Sequence, residues 1–181
     1  VRRWWIAAVA IALGLVATHL AISLVLFFQP VQEIPSDVTI DRVVVNKSQR
    51  RLELHSGSDV VASFHIALGA SPRGHKQFEG DERTPEGRYV LDWRNPNSRF
   101  HRSIHISYPN AADRAHAESL GRSPGGAIMI HGFPNGTSWW QQWALWASGY
   151  EWTDGCVAVT DPQMDLIWER VPNGTPIDIL P

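Results

Sequence analysis

The sequence predicts a mainly β domain with a few short helices, a β-rich α+β fold, behind one N-terminal transmembrane helix. Three observations carry this expectation. Trp4 to Phe28 is a 25-residue run without Asp, Glu, Lys or Arg. The stretches that follow are short, rich in β-branched residues and separated by turn-forming clusters. Apolar residues at helical spacing return only briefly, late in the chain. With 181 residues the chain suits one domain plus an appendage and is long enough to bury a core. Its 16 basic and 18 acidic side chains leave a net charge of −2, which removes the usual electrostatic case for nucleic-acid binding. A lone cysteine makes an internal disulfide impossible and excludes the multi-cysteine zinc sites.

The apolar run comes first. A helix needs roughly 20 residues to cross a bilayer, so this one is long enough with some tilt. Arg2 and Arg3 precede it and no basic residue follows closely, which favours a cytoplasmic N-terminus and an exported remainder. Trp4 and Trp5 fall where an aromatic belt would lie. The rival reading is a cleaved secretory signal, whose apolar core usually spans only about 7–15 residues. No small-x-small cleavage site stands before Gln29-Pro30. Residues 1–28 are therefore read as an uncleaved anchor, and His19 within them as a tolerated packing residue. Residues 29–38, with two prolines and no periodicity, read as a linker, and residues 39–181 as the exported domain.

Within that domain, Ile40–Val45, Arg51–His55 and Val60–Leu68 are β-rich runs. They are parted by Asn46–Gln49 and Ser56–Asp59, both good turn material, so they form a meander. A polar stretch from Gly69 to Gly87 follows, with four glycines and two prolines. Strands are expected at Arg88–Trp93 and Phe100–Ser107; then Asn110 caps a helix that ends at Gly121. Ala127–His131 is a short apolar strand. Trp139, Trp143, Trp146 and Tyr150 recur at helical spacing, with Ser138 as a cap and Gly149 as a stop. Asp161-Pro162 opens a further helix, and Thr175–Leu180 closes as a strand. A sheet-on-sheet or barrel-like core fits this balance.

The chemistry converges on His131 and Cys156. Cys156 enters a β-type run from the Thr153-Asp154-Gly155 turn, which can hold a side chain outward and leave its backbone N–H free. A thiol needs a base to act as a nucleophile at neutral pH, and imidazole is the natural partner. His131 ends its strand before Gly132, whose missing side chain lets a second chain or a substrate approach. The plain alternative is a cysteine that only packs, as buried cysteines usually do.

These residues sit in a sequence that resembles the L,D-transpeptidase catalytic domain family of bacterial cell-wall enzymes. It is similar to the branch with Trp-Thr-x-Gly-Cys at the nucleophile. The resemblance runs from about Thr39 to the C-terminus. Its pieces appear in order: the meander ending in Ala67-Leu68-Gly69, then Gly80 to Tyr89, Ile106 to Asn110, Ile130-His131-Gly132, and Thr153-Asp154-Gly155-Cys156. The resemblance implies an L,D-transpeptidase-like β-sandwich and no metal or organic cofactor. It implies attack by Cys156 on the stem tetrapeptide of peptidoglycan, with His131 as base, a carbonyl such as that of Gly132 orienting it, and the N–H groups of Gly155 and Cys156 receiving the oxyanion. Release of D-alanine would leave a thioester. An amine would resolve it into a 3→3 cross-link or a protein–wall link; water would resolve it as a carboxypeptidase does, or as a peptidase freeing wall-linked protein. A non-catalytic peptidoglycan-binding module is the third reading. Asp154, Thr153, Tyr108 and Trp146 are the candidates for lining the substrate groove. The host compartment implied is the bacterial cytoplasmic membrane, with the domain on its periplasmic or extracytoplasmic side.

Two features depart from the family pattern. Asp154 stands where many relatives have histidine, and a carboxylate facing the sulfur opposes thiolate formation. It reads either as a contact for the substrate's ammonium or as a turn residue bonded to its own backbone. His131 and Cys156 are also separated by a longer segment than is common, carrying Trp139, Trp140, Trp143 and Trp146. That face packs on the domain as a lid, or lies against a glycan or the membrane interface. His101 and His105 share one face of an expected strand and lack a local carboxylate, so a polar sheet face is the simpler reading than a metal site.

Overall fold

The computed structural model describes residues 2–181, with side chains from Trp4 onward. Val1 and the side chains of Arg2 and Arg3, the basic flank of the anchor reading, lie outside the described residues. Helix α1 (Arg2–Phe27) is followed by the meander β1 (Arg42–Asn46), β2 (Arg51–Ser56) and β3 (Asp59–His65). Then come β4 (Gly87–Asn95), β5 (Ser103–Ile106), α2 (Ala111–Ser119), β6 (Met129–His131) and α3 (Trp139–Ser148). The chain ends with β7 (Val157–Ala158), α4 (Asp161–Arg170) and β8 (Thr175–Leu180).

All eight strands join one mixed sheet in the order β3-β2-β1-β8-β4-β5-β6-β7. The C-terminal strand β8 enters its middle, parallel to β1 and antiparallel to β4. Alternation explains why: in β1 and β8 every second residue, including Val43, Val45, Ile177 and Ile179, is buried in the core. Leu52, Leu54, Leu91, Ile104, Ile106, Ile130 and Val157 extend that core across the sheet, and Met164 and Ile167 of α4 cover it.

The sheet curls until its ends meet. Beyond β3, Ile66–Gly69 leave the meander, and Ala67 exchanges two backbone hydrogen bonds with Ala158 of β7 at 2.9 and 2.8 Å. Gly69 bridges Thr153 in the same seam. The barrel-like expectation is met in this form, as one curled sheet. The expected third strand, Val60–Leu68, is shorter for the same reason, since Ile66 to Leu68 serve the seam instead. Phe100–Ser107 also shortens at its start: His101 adopts a left-handed φ of 50° and its N–H donates to Asn135 Oδ1, which holds the segment in a loop.

The polar stretch between β3 and β4 is fastened from inside. Lys47 is buried, and its ammonium donates to Gly74 O, Thr84 O and Glu86 Oε1 at 2.6, 2.9 and 2.7 Å. Asp81 accepts from Lys76 Nζ and from the N–H groups of Gln77, Phe78 and Arg83. Those partners outweigh desolvation and hold its carboxyl below the usual range.

The expected linker is irregular, yet it is docked rather than free. Ile34 lies in the core, and the Arg170 guanidinium donates to the carbonyls of Ile34, Pro35 and Val38. An apolar side chain and three carbonyls facing one guanidinium leave the segment little freedom. Within α1, Trp4–Phe27 is long and apolar enough to cross a membrane and is almost entirely uncovered by protein. Its last residues meet α3: Phe27 lies edge-on to Trp146 and Phe28 tilts against Trp139, with centroids 5.8 Å apart in each pair.

Candidate active site

Strand pairing brings the two chemical residues together. Parallel β6 and β7 register Ile130 with Val157 and His131 with Ala158. Ile130 and Val157 point into the core, so His131, Ala158 and, two residues earlier, Cys156 share the opposite face. Cys156 and His131 are thus diagonal neighbours on one face of adjacent strands.

His131 is 3% exposed, packed against Phe100 at 4.5 Å and Trp152 at 5.5 Å between ring centroids. Its Nδ1 bonds Gly132 O at 2.7 Å, so Nδ1 carries the proton and Nε2 is left as the acceptor. Burial pushes the imidazole down to about 4, only partly offset by that carbonyl. Cys156 is half-buried, and Met129 N–H donates to its Sγ at 3.4 Å. Desolvation raises its thiol, Met129 N–H lowers it, the Asp154 charge raises it and the Lys76 charge lowers it, for a net rise. The resting groups are a neutral thiol, directed at Ala127 O at 3.7 Å, and a neutral imidazole, with no hydrogen bond between the two among the described residues.

The turn before Cys156 is built by Thr153. Its hydroxyl accepts from Gly155 N–H at 3.2 Å and donates to Cys156 O at 2.8 Å. Two expectations change accordingly. The Gly155 N–H expected at the oxyanion is already engaged, whereas the Cys156 N–H makes none of the hydrogen bonds found among the described residues. The turn-bonding role weighed for Asp154 belongs to Thr153, and Asp154 itself is exposed. Gly155 is needed for shape: its φ is 123°, and a Cβ there would lie 2.5 Å from Arg83 O. Gly132 is constrained by neighbouring side chains, because a Cβ would lie 2.4 Å from Asp161 Oδ1 and 2.9 Å from His101 Cβ. The second chain that comes close at Gly132 is thus the start of α4.

Tyr108 does not line an accessible groove. It is buried in the core, its hydroxyl donates to Pro124 O at 3.0 Å, and burial raises it far above the usual tyrosine range. Trp146 does line a cavity of about 570 Å3 beneath α3, together with Leu145, Phe133, Trp152, Arg73 and Glu151. Phe133 and Trp152, stacked with centroids 6.0 Å apart, form the wall between this cavity and His131. His101 and His105 do not converge: each pairs with its own carboxylate, Asp165 or Asp92, at 2.7 Å.

Asp161 was legible only as a helix start. In the structure its Oδ1 accepts from Phe133 N–H at 2.7 Å and its Oδ2 from Gln142 Nε2 at 3.1 Å, which fixes the turn after His131 and ties α3 to it. Its place three residues after β7 was the one further signal. Trp152, which dries the imidazole, was visible only as the first residue of the Trp-Thr-x-Gly-Cys motif, and Phe100 carried no signal beyond being aromatic.

A thiol just before β7, an imidazole at the end of β6 and a Cys156 N–H without a partner among the described residues therefore share one face of the sheet. The chain belongs to the YkuD family, the L,D-transpeptidase catalytic domain, whose pattern matches residues 40–179. That family works on peptidoglycan, and a cell-envelope location follows from it. A curated relative, the candidate L,D-transpeptidase YafK of Escherichia coli (strain K12), is 35% identical over 97 residues, covering 50% of this chain and 37% of that protein. The chain thus spans well under half the length of this relative. Among solved structures, the helical cell shape determining protein Pgp2 of Campylobacter jejuni superposes with a TM-score of 0.57 at 22% identity, over 89% of this chain and 55% of that one. Bd1075 of Bdellovibrio bacteriovorus gives 0.53 at 20% identity, over 84% and 51%. Both likenesses concern the fold.

Proposed function

We propose that this chain is a membrane-anchored cysteine L,D-transpeptidase acting on stem tetrapeptides of peptidoglycan, of the branch with Trp-Thr-x-Gly-Cys at the nucleophile. Residues 1–28 serve as anchor, 29–38 as a docked connection and 39–181 as the catalytic domain. The observation that carries this reading is the Nδ1–Gly132 O bond, which points the basic Nε2 of His131 away from the backbone on the face shared with Cys156.

Sγ of Cys156 attacks the carbonyl carbon before the terminal D-alanine while its proton passes to Nε2 of His131. The Cys156 N–H receives the developing oxyanion. The imidazolium then protonates the departing amine, and D-alanine leaves behind a thioester. An incoming amine, from a second stem or a protein, gives up a proton to Nε2 as it displaces the sulfur. Water entering instead yields a free tripeptide. The cavity on the far side of Phe133 and Trp152 holds Arg73, a positive charge suited to a substrate that bears carboxylates, while its Glu151 is already held by Arg50 and Leu68 N–H.

The test uses the full chain in detergent micelles beside its Cys156→Ala variant, each incubated with purified disaccharide-tetrapeptides. Mass spectrometry is expected to show loss of D-alanine by the parent alone, with cross-linked dimer as product. Equal turnover by both proteins, or none by the parent on tetrapeptides or on wall bearing attached protein, would sink the proposal. Tripeptide without dimer would convert it to the hydrolytic form.

A further inference from the structure

We propose that the catalytic domain rests on the bilayer itself, with α3 lying in the boundary between headgroups and acyl chains. The inference rests on reading α1 as a membrane span and goes beyond it, since a span needs only a tether.

Depth is the first argument. The contact between α1 and the domain is not confined to the end of the helix. A crevice of about 260 Å3 is lined by His19, Ser23 and Leu26 of α1 and by His65, Trp146 and Ala147 across from them. From His19 to Phe27 is about 12 Å of helix at 1.5 Å per residue. A hydrocarbon core of about 30 Å takes up about 20 residues. The span Trp4–Phe27 has 24, so only about 6 Å of it can emerge on the domain side. The remaining contact lies below the membrane surface, and the elements that make it must lie there too. About 6 Å is the depth at which interfacial helices sit.

Chemistry is the second. The sequence of α3, Trp139 to Ser148, carries no charged residue and four tryptophans, and none of its residues is buried. Trp139 and Trp140 are 57% and 55% exposed, and Tyr150 just beyond is 62% exposed. Indole rings favour the interface, where an apolar body and a polar N–H both find partners. The patch is continuous with α1 through the Phe28–Trp139 and Phe27–Trp146 contacts. The third argument is the short tether: Arg170 holds residues 34, 35 and 38 against the domain, which leaves only residues 28–33 between the end of the span and that fastening.

The test places a nitroxide at Ala144→Cys, on the free side of α3, in the full chain carrying Cys156→Ser and reconstituted in phospholipid nanodiscs. Reference labels sit at Leu13→Cys within the span and at Asp59→Cys at the far end of β3. Collision rates with oxygen and with a water-soluble nickel chelate are read by paramagnetic resonance. The oxygen-to-nickel ratio at position 144 is expected to rise well above that at 59, towards that at 13. A ratio at 144 equal to that at 59, with 13 shielded from nickel, overturns the inference and leaves the anchor intact. Nickel access at 13 removes both. Dipolar broadening at 144 that grows with protein per disc assigns the face to a second copy and also overturns it.

Discussion

The proposed catalytic pair belongs to one of two unlike regions. Its floor, β6 and β7, is backbone: every residue of both strands is buried, and each strand is paired along its length. The second region, α3, is side chain: no residue is buried, and it rests on the end of α1, on His65 through Trp146 and on Asp161 through an amide–carboxylate bond. The floor fixes the thiol and the imidazole to the precision of a hydrogen-bonded ladder. Helix α3 borders the cavity beside Trp152 and so bears on access. Chemistry and access are therefore separable here, and variants in the two regions should fail differently.

The largest effect belongs to the floor. His131→Gln removes the base and is expected to slow D-alanine release by about 10²–10⁴-fold while substrate binding persists, read as kcat against KM. The parent enzyme should lose activity towards acid only near pH 4, because burial holds His131 at about 4. Stability follows the same group. In the unfolded chain the imidazole takes up its proton near 6.5, and in the fold only near about 4. Below pH 6.5 the unfolded state binds more protons, so stability falls with falling pH and about 3 kcal/mol is lost by pH 4. Urea unfolding across that window should show a shallower slope in His131→Gln.

Gly155→Ala strains the floor without touching a reacting atom. The left-handed φ and the approach to Arg83 O predict a cost of about 1–3 kcal/mol in thermal unfolding, with transfer lost alongside. Asp161→Ala blurs the comparison, since this carboxylate holds the Phe133 turn and Gln142 together. A loss of about 1–3 kcal/mol from the unpaired N–H is expected, with both kcat and KM moving. The smallest effect is that of Asp154→Asn. Removing an exposed charge that raises the thiol should speed alkylation of Cys156 at neutral pH by less than about fivefold. A slower reaction would show that Asp154 orders the turn.

Local signals were the legible ones. Asn110 caps α2 through the N–H groups of Ala112 and Asp113, Gly149 ends α3 in the left-handed region, and Thr175–Leu180 is a strand over its expected length. Each depends on residues within a turn of one another. The seam between Ala67 and Ala158 joins positions far apart in sequence and is made by backbone groups common to all residues, so composition could not announce it. The same holds at the site. Cys156 and His131 stood out by type, but the engagement of Gly155 N–H by Thr153 and the second duty of Asp161 depend on which of several acceptors folding brings nearest.

The seam has a consequence for selectivity in a crowded envelope. Enzymes that cut ordinary proteins commonly take an extended chain as an added strand along an open sheet edge. At β7 one edge is occupied by β6 and the other by Ala67, so the strand beside the nucleophile has no edge to offer. Under the proposed activity, an unfolded L-peptide would find no template there. A stem peptide ending in D-alanine, the proposed substrate, has an inverted centre that could not continue such a ladder and would forfeit nothing by its absence.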